Sequence, residues 1–313
     1  MGKHRKKDRS FQDFLDEKPG GRKLRDEREL ARGFVQGFEA ADTALISARS
    51  LADQGDPTEG ASEASRIING YAALIDYLHK DVAGNVMLNT RAMRVGLDGS
   101  RMRVFDNQGN EYDADAVIVT VALSMLQNDS IAFELDVTDM RHASQQLVMG
   151  HAMRLNVIVR ERFWEKKADR LSYLHTPTRP FNVWWTQSPL EAPLLVAWSG
   201  GPPARKLSEA GDVENVAIGE LARVFGFRRS RADKLVDSIH WHDWTRDPLT
   251  LGAYGYAAVG GANAARQLAR HVDDKLFFAG EATDSGSGGT VEGALASGKR
   301  VARRILSQSA QSR

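Results

Sequence analysis

Near the C-terminus a short apolar stretch, Leu276-Phe-Phe-Ala279, runs into Gly280-Glu-Ala-Thr283, then a Gly/Ser loop over 284–289, then a small-residue helix from about 290 to 306. That order dictates a buried strand, a glycine-rich turn and a helix, the repeating unit of an α/β sheet. The unbonded N–H groups at such a helix start carry partial positive charge, which suits a phosphate or an electron-rich ring edge. Gly280 and Gly289 let backbone approach a ligand closely. Gly293 and Gly298 let the helix pack tightly on a neighbour. Glu281 stands at the carboxyl end of the strand, where a ribose-binding acid sits in open α/β sheets. Taken alone, the glycine pattern also suits a simple tight strand–helix turn.

The rest of the chain supplies both strands and helices. Residues 24–53 read as helix, with Leu30, Phe34, Phe38, Ala41 and Leu45 as a stripe expected in the core. Gly55, Asp56, Pro57 and Gly60 break it, and a second helix is expected over 63–82 with Ile67, Tyr71, Leu74, Ile75 and Leu78 inward. Short strands are expected at 86–89, 92–97 and 102–105, separated by turns at Asp98-Gly99 and 107–109. The continuous β-branched run 116–121 fits a strand buried on both faces. Strands at 155–160, 181–186, 194–198 and 234–241 and a helix at 213–225 make a second mixed region. No internal repeat is visible.

A chain of 313 residues with 42% hydrophobic and 27% charged residues can bury a sizeable core in one or two domains. Its net charge of +1 gives no bias towards nucleic acid or acidic membranes. The basic run from Lys3 to Arg9 reads as a solvated tail. There is no cysteine, so disulfides, thiolate metal sites and any cysteinyl link to a cofactor are excluded, and a cytoplasmic location is expected. No apolar run reaches the ~20 residues of a membrane span, no apolar leader is visible, and Lys6 breaks the N-terminal lipidation pattern. His240 and His242 flank Trp241 without further ligands at a useful spacing, and no GxSxG supports hydrolysis.

The C-terminal string, with Gly288-Gly-Thr-Val-Glu-Gly-Ala294, resembles the C-terminal FAD-binding signature of the flavin amine oxidase family of monoamine, polyamine and L-amino-acid oxidases. Other stretches agree in order: Arg66-Ile-Ile-Asn-Gly-Tyr71, Ala114-Asp115 with Val117-Ile-Val-Thr120, Ile131-Ala-Phe133, Gly150 to Phe163-Trp164, and Trp244, Asp247-Pro248 and Gly252-Ala-Tyr254. The resemblance spans about residues 10–306, with Ala122 where proline is usual. It implies that Glu281 bonds the FAD ribityl or ribose region and that Thr290 and Val291 meet the pyrimidine end of the ring. Gly280 and Gly289 would let the cofactor approach. Tyr254 matches an aromatic that flanks the flavin face. The facing aromatic position falls on Thr290, and Trp185, Trp241 or Trp244 could supply that wall. Arg154 falls where the resembling oxidases carry a lysine that holds water at flavin N5.

The implied reaction is hydride transfer from a carbon beside nitrogen to the flavin, followed by reoxidation with oxygen. The substrate is a small amine or amino-acid-like molecule. The expected fold is α/β: a partial FAD-binding Rossmann-like sheet plus a mixed α+β substrate domain with a helical N-terminal section. The divisions are a helical section at 1–83, FAD-domain strands at 84–135, a substrate domain at 136–265 and the C-terminal strand–loop–helix at 266–313. The family opens with strand–GxGxxG–helix, and no such motif occurs here. The chain is therefore expected to be incomplete by itself, to hold FAD non-covalently and weakly or not at all, and to need a complementing nucleotide-binding polypeptide. The alternatives left open are a truncated reading frame, a non-catalytic remnant and one subunit of a split flavoprotein. Nucleic-acid and membrane partners are not expected.

Overall fold

Helix signals near the start are local and clear. Helix α1 (Phe11–Asp16) begins at a capping box in which Ser10 Oγ accepts from Asp13 N at 3.0 Å. The computed structural model describes residues 7–54, 67–166, 171–176 and 178–311. The basic residues before Lys7, the break at 55–60 and the 63–66 start of the second expected helix lie outside these.

The single helix expected over 24–53 is two helices, α2 (Arg25–Phe38) and α3 (Ala48–Asp53). Between them the chain turns at Ala40 (φ 50°) and is held by bridges Ser10↔Ser47 and Ile46↔Ala258. Tertiary pairing overrides the helical spacing there. Helix α2 buries Gly33, Val35 and Gly37, while Leu30, Phe34 and Phe38 are 50%, 36% and 54% exposed, the reverse of the expected stripe. Helix α4 (Gly70–His79) buries none of its residues, so Tyr71, Ile75 and Leu78 are exposed rather than core. Periodicity marks an apolar face but does not provide the surface that covers it.

Strands β1 (Ala92–Asp98), β2 (Arg101–Asp106) and β3 (Glu111–Ala114) form an antiparallel meander. After β4 (Val117–Val119) and α5 (Leu123–Gln127), strand β5 (Ala132–Phe133) joins β1 in parallel. The strand expected at 86–89 does not form, and Leu88 is 80% exposed. No strand among the described residues offers that segment an edge.

Helix α6 (Thr138–Gln145) and β6 (Leu147–Met149) lead into the largest sheet. It comprises β7 (Ala152–Val159), β8 (Tyr173–His175), β9 (Val183–Thr186) and β10 (Leu194–Gly200). Helices α7 (Pro202–Ala210), α8 (Val213–Phe225) and α9 (Arg229–Leu235) follow, then β11 (Val236–His240). The sheet order is β11-β7-β10-β9-β8, and every pairing is antiparallel. On β7, Met153, Leu155, Val157 and Val159 alternate inward and join Leu207, Leu221, Phe225 and Leu235 of the three helices in the main core. The strand expected from 234 starts at Val236, because α9 runs on through Leu235.

Strand β12 (Gly255–Ala257) pairs antiparallel with β6, and α10 (Ala264–Leu268) precedes β13 (Leu276–Phe278). Strand β13 pairs in parallel with β4, in register Leu276↔Val117 to Phe278↔Val119. Helix α11 (Val291–Gln311) covers Phe277 and Ala279 through Val301. Ile118 on β4 stays 41% exposed, so the run at 116–121 is not buried on both faces. The expected strand–loop–helix unit is present, with its loop at the carboxyl end of a parallel pair.

Candidate functional site

The end of β13 is fixed to α11 by one side chain. Ser297 Oγ accepts from Gly280 N at 2.8 Å and donates to Ala294 O at 2.7 Å. Beyond Gly280 the chain turns, and the Glu281 carboxylate accepts from Gly289 N at 2.9 Å and from Gly255 N at 3.2 Å. One acid thus ties the glycine loop to β12. Thr290 caps the helix: its hydroxyl accepts from Gly293 N at 3.0 Å and donates to Ser287 O at 2.6 Å. Val291 and Glu292 N–H have no intrahelical acceptor, as in the first turn of any helix.

Tyr254 completes this corner. Its hydroxyl donates to Phe38 O at 2.6 Å, which ties the end of α2 to the site. Gly289 has φ 74°, and a Cβ there would lie 3.1 Å from Tyr254 Cδ2. Tyr254, Gly280, Glu281, Gly289, Thr290 and Val291 therefore share one corner built from β12, β13 and the start of α11. A cavity of about 430 Å³ opens beside it, lined among others by Arg49, Tyr256, Asn263, Arg266, Glu281 and Ser285. Its size is that of a small-molecule site.

Arg154 is on a different element, strand β7. It lies on the sheet face opposite the main core, directly across from Trp198. Its guanidinium carbon is 5.9 Å from the Trp185 ring centroid, and Trp185 and Trp198 are 6.1 Å apart. Trp198 Nε1 donates to Gly37 O at 2.7 Å. Consecutive carbonyls at the end of α2, Gly37 and Phe38, thus receive Trp198 from the sheet and Tyr254 from the glycine corner. Of the other tryptophans named from the sequence, Trp241 bonds Glu214 at 3.1 Å and packs on the main core, and Trp244 packs on His242. Among the described residues no group of three His, Asp or Glu is placed to hold a metal.

Comparison with known proteins decides the lineage. A family model described as flavin containing amine oxidoreductase matches residues 3–306. The chain belongs to that family. It is 29% identical over 292 residues to Lysine-specific histone demethylase 1 homolog 1 of Oryza sativa subsp. japonica, covering 90% of this chain and 34% of the relative. It is 30% identical over 252 residues to homolog 3 of Arabidopsis thaliana, covering 77% of this chain and 15% of the relative. The chain thus spans about a third or less of the length of these curated relatives. A solved putrescine oxidase bound to putrescine superposes with a TM-score of 0.80 at 18% identity, over 96% of this chain and 68% of that one. The fold is accordingly that of the flavin amine oxidases.

Burial raises the Glu281 pKa, and the Gly255 and Gly289 N–H groups oppose that shift. Burial, then the charges of Glu39 and Glu281, push the Tyr254 hydroxyl well above its ordinary value, so Tyr254 is a neutral donor. Glu39 is a residue that sequence reasoning missed. It closes α2 beside Tyr254, and burial raises its pKa. A carboxylate at a helix C-terminus opposes the helix dipole, and that misplacement was the readable signal. Ser297 closes the C-terminal motif string, but its bond to Gly280 N was not readable from the sequence.

Glu39 gives a pH prediction. Its folded pKa lies above the unfolded one, so the folded chain holds the proton more tightly and stability falls as pH rises from ~4.3 through the raised value. Glu39→Gln should stabilise the ligand-free chain at neutral pH, because the amide carries no charge to desolvate. The gain should vanish below ~pH 4.3, where the acid is neutral in both states. Urea midpoints across this range measure it; an equal gain at every pH would remove the carboxylate as the cause.

Proposed function

We propose that this chain forms the substrate-binding part and the ring-binding corner of an FAD-dependent amine oxidase. The observation that carries the reading is the Glu281 carboxylate, which joins Gly255 and Gly289 into one corner beneath Tyr254. The residues present fit the ring end of a flavin: a glycine corner open to close approach, and free N–H groups of Val291 and Glu292 aimed at an electron-rich edge. When bound, the flavin supplies the acceptor for a hydride from the carbon beside the substrate nitrogen. Tyr254 confines the amine by its ring and keeps its proton. Glu39, whose charge acts on the Tyr254 hydroxyl, offers a carboxylate suited to an ammonium. Arg154 stays charged at all working pH values and orients whatever polar group enters from the sheet side. The cavity beside Glu281 suits the polyol chain that runs from the ring. Ala253 occupies the position of the covalent link in monoamine oxidases, which supports non-covalent binding.

The amine class is supported by the putrescine named for the solved neighbour and the lysine named for the plant relatives. A cysteine-free chain suits the reducing cytoplasm, and no described helix is long and apolar enough to cross a membrane. A second reading, that the Rossmann-like sheet needs a nucleotide-binding strand–GxGxxG–helix unit from another polypeptide, rests on the open side of β13. Lys275 O and Ala279 N bond β4, so Phe278 between them turns its backbone away from that strand. The apolar face of α4 is uncovered among the described residues as well.

FAD retention after gel filtration tests both readings. The chain alone should retain little flavin, and addition of a strand–GxGxxG–helix polypeptide should restore a bound-flavin absorption spectrum. Stoichiometric retention by the chain alone would sink the need for a partner. No retention with that polypeptide present would sink the flavin reading.

A further inference from the structure

Three oxidisable rings stand in line across the outer face of the five-stranded sheet. Trp198 on β10 meets Trp185 on β9 at 6.1 Å between ring centroids, and Trp185 meets Tyr173 on β8 at 6.2 Å. Tyr173 lies directly across from Trp185 on the edge strand and is 57% exposed. At the inner end Trp198 bonds Gly37 O, and Tyr254 bonds the next carbonyl, Phe38 O. We propose that Trp198, Trp185 and Tyr173 form a relay that carries one-electron oxidation from beside the glycine corner to the protein surface. The relay goes beyond the proposed amine chemistry and does not depend on a bound flavin.

Three physical arguments carry it. The chain has no cysteine, so no thiol can absorb a stray oxidation, and the electron-rich indole and phenol rings stand next to the methionines as donors. Next, the rings are direct neighbours at the spacing of packed aromatic pairs, so an electron passes from ring to ring in short steps. Finally, the protons decide where the oxidation stops. A phenol holds a radical only after its proton has left. The Tyr254 hydroxyl and the Trp198 N–H are both held by amide carbonyls, which are too weakly basic to take a proton. Burial, then the charges of Glu39 and Glu281, also oppose ionisation of Tyr254. Tyr173 meets water, which accepts its proton. In sequence, a hydroxyl radical takes an electron from Trp198 and becomes hydroxide. Trp185 gives an electron to Trp198. Tyr173 gives an electron to Trp185 and its proton to water. A small thiol in solution then returns a hydrogen atom to the Tyr173 oxygen and leaves as a thiyl radical.

The test is pulse radiolysis of the full chain with the azide radical, which oxidises indole in preference to phenol. Absorption of the tryptophan radical should decay as that of the tyrosine radical grows, at a rate independent of protein concentration. Among the described residues Tyr173 is the only tyrosine whose ring packs on a tryptophan, so Tyr173→Phe should abolish that growth. Trp185→Phe should abolish it as well, although Tyr173 is still present. Trp198→Phe should lower its amplitude and leave the Trp185-to-Tyr173 step intact. No tyrosine-radical growth in the unmodified chain, growth that survives Tyr173→Phe or Trp185→Phe, or a rate that scales with protein concentration would each overturn the proposal. Circular dichroism melts establish that the variants fold. Tyr173 is exposed on an edge strand, so Tyr173→Phe decides the matter if Trp185→Phe does not fold.

Discussion

Glu281→Ala is expected to abolish flavin retention by the chain supplied with a strand–GxGxxG–helix polypeptide and to lower the chain's melting temperature by several degrees. The carboxylate accepts from both Gly255 N and Gly289 N, so its removal leaves two part-buried donors unpaired. Each costs ~1–3 kcal/mol. Part of this is offset, because burial of the acid itself is unfavourable, as its raised pKa shows. Glu281→Gln keeps one carbonyl oxygen and presents an NH2 to the other donor, so it should fall between the two. Flavin retention should drop at least ~100-fold in the alanine variant, because the loop that frames the ring loses its tether to β12. A comparison of urea unfolding with flavin titration measures both. If the alanine variant loses stability and keeps the cofactor, Glu281 is only a strut.

Gly289→Val should be the next most damaging change. The position has φ 74°, a region that costs an L-residue ~1–2 kcal/mol and a β-branched one more. Its Cβ would also lie 3.1 Å from Tyr254 Cδ2, so the ring or the helix start must move. Thr290 and Val291 follow Gly289 directly and would move with it. Gly289→Ala separates the effects: it carries the φ strain and the Cβ contact without the branched methyl groups. Both variants should destabilise the fold modestly, and valine should remove flavin binding far beyond its effect on stability. Parallel losses of the two, measured by melting and by flavin titration, would reduce the glycine corner to a tight turn.

Much of this architecture was legible before any coordinates. Strand β7 shows in the alternation expected over 155–160, although it begins earlier, at Ala152, and α8 falls on the expected span 213–225. The strand–loop–helix expected over 276–306 is equally plain, because its glycines and small residues act through local backbone geometry, and its helix runs on to Gln311. Errors concentrated where an apolar pattern needed a partner. The segment at 86–89 has strand-like residues but no neighbouring edge, and α4 has an apolar face with nothing described against it. Helix α2 shows the same limit. Its phenylalanines follow helical spacing, yet Gly37 lies where the helix meets Gly200 of β10, and Val35 is buried in a separate cluster with Ala41, Ile46 and Tyr256.

The sequence by itself determined the local units and the lineage, because periods, glycine turns and motif order are properties of neighbouring residues. The tertiary structure alone decided the site's charge pattern. Tyr254 and Phe38 are 216 residues apart, and Trp198 and Gly37 are 161 apart, yet both bonds converge on the end of one helix. No local preference encodes such an encounter. It arises when two sheets and a helix pack, and that packing brings the charge of Glu39 to bear on the Tyr254 hydroxyl.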